Sequence, residues 1–158
     1  MGTVKVYSLE YGLDGMCCLV AREGTGYTEG YIIESNQTAV DILNVTFTPA
    51  VKVNQYIYMI ACDREMRVLG LFLVASGDPK HTKYSMKNII MSAMLCRAVN
   101  IIIARNDPEG RWNFTEDELA DYHKLKDTVR SVDINVTDYL ILSENEYLSV
   151  EEQKKQSK

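Results

Sequence analysis

Tyr56-Ile57-Tyr58-Met59-Ile60-Ala61-Cys62, then Asp63-Arg64-Glu65, then Val68-Leu69-Gly70-Leu71-Phe72-Leu73-Val74-Ala75 is the stretch that decides the fold. Two arms of nearly unbroken apolar residues flank a three-residue polar turn, which is the signature of a hairpin. A strand with one wet face alternates apolar and polar residues, whereas these arms do not, so they predict central strands covered on both faces. The flanking segments must supply those covers.

Downstream, Met86, Ile89, Ile90, Ala93, Met94 and Ala98 recur at helical spacing and predict a helix over 84–99 with one broad apolar face. Asn100 to Ala104 reads as a buried strand, and a second helix is expected from Thr115 to Val132, lined inside by Leu119, Tyr122, Leu125 and Val129. Two short strands, Tyr139 to Leu142 and Tyr147 to Val150, close the domain around a turn at Glu144-Asn145-Glu146. Upstream, strands are expected at Val4–Leu9, Met16–Arg22 and Tyr27–Glu34, punctuated by Gly12, Gly15, Gly24, Gly26 and Gly30. A short helix follows, capped by Ser35 or Asn36, with Ala39, Val40, Ile42 and Leu43 inward. The order is that of an α/β protein with a central mixed sheet flanked by helices.

The chain has 158 residues, enough for one domain and too few for two. The domain is expected at 1–150, with 151–158 a polar tail that frays. Hydrophobic residues make up 46% and charged residues 25%, the balance of a soluble globular protein. No run of about 18 apolar residues is present, so no spanning helix is expected. The start, Met1-Gly2-Thr3-Val4-Lys5-Val6, lacks the apolar centre of a signal peptide, and Val6 stands where a myristoylation motif needs Ser or Thr. Cytoplasmic residence is the expectation. A net charge of −5 with no basic stripe argues against nucleic-acid binding by this domain alone.

Candidate chemistry is sparse. Cys17, Cys18, Cys62 and Cys96 form no C-x-x-C pair and read as reduced core thiols, and the adjacent Cys17 and Cys18 are disfavoured as a redox pair because neighbours on a strand point to opposite faces. His81 and His123 read as surface residues. Gly24-Thr25-Gly26 lacks the Lys-Ser/Thr and helix start of a phosphate loop. Thr115-Glu116-Asp117-Glu118 is a capping box opening the second helix, and Pro108-Glu109-Gly110 is an ordinary turn.

The run Gly77 … Ala104-Arg105-Asn106-Asp107-Pro108-Glu109-Gly110 … Thr115-x-x-Glu118 … Thr137-Asp138-Tyr139 resembles the RadC-like JAB domains, relatives of the JAMM/MPN zinc metalloproteases. Their corresponding stretch reads Glu-x-x-x-Gly-Thr, Ala-His-Asn-His-Pro-Ser-Gly, Ser-x-x-Asp and Asp-His. The likeness runs from about Ser35 to Glu151, taking in Ser35-x-x-x-Ala39-Val40 as a first helix and Asn145-Glu146-Tyr147-Leu148-Ser149 as the last turn and strand. In the family two histidines and an aspartate hold zinc, a serine supports the bound water and a glutamate is the base. Laid on this chain, the resemblance puts Arg105 and Asp107 at the histidines, Thr115 at the serine, Glu118 at the aspartate and Leu73 at the glutamate. It puts Asp138-Tyr139 at the Asp-His pair.

That pattern implies a pseudoenzyme. Arginine stays protonated and has no lone pair for a metal, and Leu73 cannot act as a base. No metal, cofactor or catalytic residue is expected. The resemblance implies a protein-binding or scaffolding module, working with a protein partner or as a homo-oligomer, as MPN domains without the metal motif assemble with active ones. Its alternatives are a metal-dependent peptidase or isopeptidase reorganised around Asp107 and Glu118, and an accessory protein of a mobile element or of DNA repair. The family's usual N-terminal helical segment has no counterpart in this sequence, so a DNA-repair role is not the expectation. Trp112 and Phe114, in the loop beside the former site, either fill the core or anchor a partner. Arg105 is expected to stand in for the lost metal by bridging Asp107 and Glu118.

Overall fold

The structure is a computed structural model that describes residues 2–80 and 82–157. His81, expected at the surface, lies outside the described residues. The elements run β1 (Thr3–Tyr11), β2 (Cys17–Thr28), α1 (Asn36–Phe47), β3 (Gln55–Cys62), β4 (Val68–Gly77), α2 (Met86–Leu95), β5 (Asn100–Asn106), α3 (Glu116–Arg130), β6 (Asn135–Leu142), β7 (Tyr147–Ser149) and α4 (Val150–Gln156). They build one mixed seven-stranded sheet in the order β2-β1-β4-β3-β5-β6-β7. The pairs β1 with β4 and β5 with β6 are parallel; the other neighbours are antiparallel.

The apolar hairpin does what its composition requires. β3 lies in the middle of the sheet and β4 beside it, and β3 is buried almost throughout. Alternate residues feed two cores. Tyr58, Ile60 and Cys62 join Ile102, Ala104, Leu140 and Leu142 beneath α1. Ile57, Met59 and Ala61 join Ile101, Ile103 and Tyr139 beneath α2 and α3. β1 docks on β4 through Val6 and Tyr7, opposite Leu71 and Phe72. Gly70 lets it come close, because a Cβ there would meet the Tyr7 ring at 2.7 Å.

Ser35 caps α1, accepting from the Thr38 N–H, and the four residues buried on that helix are Ala39, Val40, Ile42 and Leu43. α2 is shorter than its periodicity suggests. Arg97 adopts φ 62°, and the Ala98 N–H returns to the Ala93 carbonyl at 2.8 Å, a Schellman-type stop that leaves Met94 exposed. The expected strand at Tyr27–Glu34 does not form. β2 runs on to Thr28, Gly30 then turns at φ 81°, and within that segment Ile32 makes an isolated bridge to Arg67.

The polar end is a helix where fraying is expected. Ser149 caps α4, and Glu151 accepts from the Tyr122 hydroxyl at 2.6 Å and the Lys126 ammonium at 2.7 Å. Ser149 and the Glu151 N–H both bond the buried Asp138. Polar composition hid these contacts because each lies far away in the sequence. Burial pushes the Cys62 and Cys96 thiols up, to about 12 and about 11, so both stay protonated at neutral pH. No helix among the described residues is long and apolar enough to cross a membrane.

Candidate functional site

β5 carries the decisive residue at its end. Alternation from Ile101 and Ile103 turns Arg105 toward the α3 side, where its side chain is 4% exposed. Every N–H of its guanidinium is used. Nε and Nη2 form a fork onto the two carboxylate oxygens of Glu118, the latter at 3.1 Å. Nη1 donates to Asp107 Oδ2 at 3.3 Å and to the Asn106 carbonyl at 3.2 Å. Nη2 also reaches the Asn113 carbonyl at 3.1 Å. Burial opposes the charge, but the hydrogen bond and attraction of Glu118, with Tyr139 and Asp107 behind, outweigh it and hold Arg105 protonated.

The carboxylates are as fully engaged. Glu118 sits in the first turn of α3, where the Thr115 side chain accepts from its N–H and it accepts from the Thr115 N–H at 2.9 Å. The capping box and the ion cluster thus share one side chain. Its Oε1 also accepts from the Tyr139 hydroxyl at 3.0 Å. Asp107, whose side chain is 2% exposed, accepts from the Glu109 N–H at 3.0 Å and lies 3.9 Å from Arg111 Nε. Gly110, at φ 72°, completes the turn with a bond back to the Asp107 carbonyl.

The structure therefore brings together Arg105, Asp107, Thr115 and Glu118, but not Leu73. A register shift between Ile57 and Tyr58 pairs Leu73 with Tyr58, whose side chain belongs to the α1-side core. Leu73 is 44% exposed there and does not line the site. Ala75 pairs with Ile57, which pairs with Arg105, so Ala75 is the β4 residue in line with the cluster. Counting residues without a gap cannot see a bulge. Strand alternation likewise splits Asp138 from Tyr139. Asp138 faces α1 and α4, bonding Asn36 and Ser149, while Tyr139 completes the Arg105 cluster. Tyr139 is a site residue that the sequence marks only as the position of the family's histidine.

Trp112 and Phe114 part company. Phe114 packs edge-on against Tyr139 with centroids 5.4 Å apart, whereas Trp112 is 38% exposed. His123 is exposed on α3. In front of the cluster lies a cleft of about 380 Å³, with Gln55, Ile57 and Tyr139 on its sheet side and Tyr84, Asp117 and Asp121 across from them. Lys80, Lys83 and Arg111 stand around it. The Tyr84 hydroxyl is buried without a hydrogen-bond partner among the described residues. Its burial, with Asp121 and Glu118 nearby, pushes its ionisation well above the ordinary range.

As donors these side chains do not fit a catalytic zinc, which takes three imidazole, thiolate or carboxylate ligands and an open position. Asp107 and Glu118 share one guanidinium, and no three His, Cys, Asp or Glu side chains converge on a metal position among the described residues.

Residues 33–155 match the model of the RadC-like JAB domain. The chain is 32% identical over 91 residues to a UPF0758 protein of Aquifex aeolicus (strain VF5), covering 58% of this chain and 39% of that protein. It is 34% identical over 68 residues to a UPF0758 protein of Actinobacillus pleuropneumoniae serotype 5b (strain L20), covering 43% of this chain and 31% of the relative. For a UPF0758 protein of Verminephrobacter eiseniae (strain EF01-2) the figures are 25% over 103 residues, 65% and 44%. The chain thus spans less than half the length of the curated relatives it matches. With more than half of its length inside the family match, and with a mixed sheet flanked by helices, the chain belongs to the RadC-like JAB domain family.

Proposed function

We propose that this chain is a non-catalytic RadC-like JAB domain that serves as a protein-binding or scaffolding module. The observation that carries the reading is the complete use of the Arg105 guanidinium by Glu118, Asp107 and two backbone carbonyls. A permanent cation so placed takes up the negative charge that a metal ion would use, and it repels a metal cation that approaches. Hydrolysis also needs a base near the metal-bound water. No acid occurs in Val68–Ala75, and Ala75, the residue in line with Arg105, carries none. What remains is a polar cleft beside an exposed Trp112, a residue type suited to anchoring a protein partner.

Zinc titration by calorimetry, run beside cleavage assays on peptide and isopeptide substrates with and without chelator, tests the first half. The expected result is no saturable zinc binding and no chelator-sensitive cleavage. Stoichiometric tight zinc with hydrolysis would overturn it in favour of a metal-dependent peptidase built on Asp107 and Glu118. For the second half, Trp112→Ala should weaken capture of native protein partners while leaving the thermal midpoint nearly unchanged. A variant that unfolds would identify Trp112 as core, and one that captures partners as well as the parent would remove the cleft-side loop as an anchor.

A further inference from the structure

We infer that two copies of this chain associate edge to edge through β2, antiparallel, about a two-fold axis at Leu19. This rests on the N-terminal hairpin, which lies outside the residues matched to the family, and it is independent of the Arg105 site. The sheet has two unlike edges. β7 is 3 residues long and runs directly into α4, whereas β2 is 12 residues long with no strand on its outer side among the described residues. Long open edges are templates for pairing, and proteins blunt them with bulges and charges.

β2 is blunted along only half its length. Register shifts fall at Arg22 and again between Gly24 and Thr28, which bend and interrupt that half. Cys17-Cys18-Leu19-Val20-Ala21 pairs regularly with Tyr7–Tyr11 and contains no charge. Beyond Tyr7, β1 pairs with β2 and with no other strand among the described residues, so this part of the hairpin is a two-stranded ribbon, marginal in water on its own. At its tip Tyr11 is 80% exposed and Met16 67%.

The segment is suited to its own copy. Antiparallel pairing centred on Leu19 sets Cys17 opposite Ala21 of the second copy and Cys18 opposite Val20, so no charge meets a like charge. Each chain carries −5 overall, and this uncharged seam is where two of them can meet without repulsion. The same axis sets Met16 opposite Arg22 of the second copy. Arg22 already donates to Glu10 and Ser8 of its own hairpin, so the charged residue beside the seam is neutralised within each copy and sets no bare charge against Met16.

Sedimentation equilibrium over a concentration series tests the inference. The parent chain should dimerise, and Val20→Lys, which places a charge on the seam, should raise the dissociation constant at least about tenfold with the circular dichroism spectrum unchanged. In a Cys17→Ser background, Val20→Cys should give a disulfide-linked dimer on mild oxidation, lost when Cys18→Ser is added. If Val20→Lys does not fold, this gel decides. A parent that is monomeric at every concentration, a dimer indifferent to Val20→Lys, or the absence of the 18–20 crosslink would each overturn the proposal.

Discussion

Arg105 and Asp138 lie on neighbouring parallel strands, and both are 3% exposed, yet their charges are handled in opposite ways. Around Arg105 the charge is met by charge: two carboxylates share one guanidinium. Around Asp138 the hydrogen bonds come from neutral donors, the Asn36 amide at 3.0 Å, the Ser149 hydroxyl, and the N–H groups of Tyr139 and Glu151 at 2.7 and 3.2 Å. The first cluster ties the end of β5, the turn that follows it and the start of α3 together. The second ties α1, β6 and α4 together. Buried ion pairs cost much to break and little to replace whole, whereas a buried acceptor costs mainly the donors it leaves unmet. The two regions should therefore fail differently.

The largest effect is expected at Arg105. Arg105→Ala should cost about 3–5 kcal/mol in denaturant unfolding, because Glu118 loses its guanidinium partner and the buried Asp107 is left with Arg111 at 3.9 Å. Arg105→Met combined with Glu118→Gln should recover part of that loss, since a glutamine side chain at the third helical position still serves the capping box. A double variant as unstable as the sum of its singles would show that the two side chains do not act as an ion pair. Asp138→Ala comes next, at about 1–3 kcal/mol, with α4 opened to proteases while the Arg105 side of the sheet keeps its protection from hydrogen exchange. Equal loss of protection in both regions would erase the distinction between them.

Thr115→Ala should cost about 1 kcal/mol through the lost cap, and Thr115→Ser should restore most of it. The smallest effect belongs to pH. Burial alone would raise Glu151, but hydrogen bonds from Lys126 and Tyr122 prevail and hold it below its ordinary value. A group with a depressed folded pKa stabilises fully above its unfolded value, about 4.3, and loses that contribution as pH falls through the folded one. Acid should therefore loosen α4 first, and Glu151→Gln should flatten that part of the stability profile. An unchanged profile would mean that Glu151 does not hold the helix.

Much of the fold was legible. The two apolar arms of β3 and β4 announced a covered sheet, and Ser35 and Thr115 marked helix starts that the structure keeps. The four inward residues of α1 followed from spacing alone. Misreadings arose where a long-range contact or a single turn residue outweighed the composition of the segment. α4 looked like a loose polar tail because its partners Tyr122, Lys126 and Asn36 lie far away in the chain. Tyr27–Glu34 looked like a strand because aromatic and branched residues favour one, but Gly30 turns the chain there.

At the site the division is sharper. Residue identity alone bounded the chemistry of one position: arginine has five donors and no lone pair, so the side chain at position 105 could not itself ligate a metal before any contact was known. The family resemblance also placed Arg105, Asp107, Thr115 and Glu118 in one frame, together with Leu73. Which residues share a face came only from the folded chain. A register shift took Leu73 away and aligned Ala75 through Ile57, and alternation sent Asp138 to one side of the sheet and Tyr139 to the other. Residue type is written in each position, whereas facing is set by strand register, and one extra residue in a bulge reverses it.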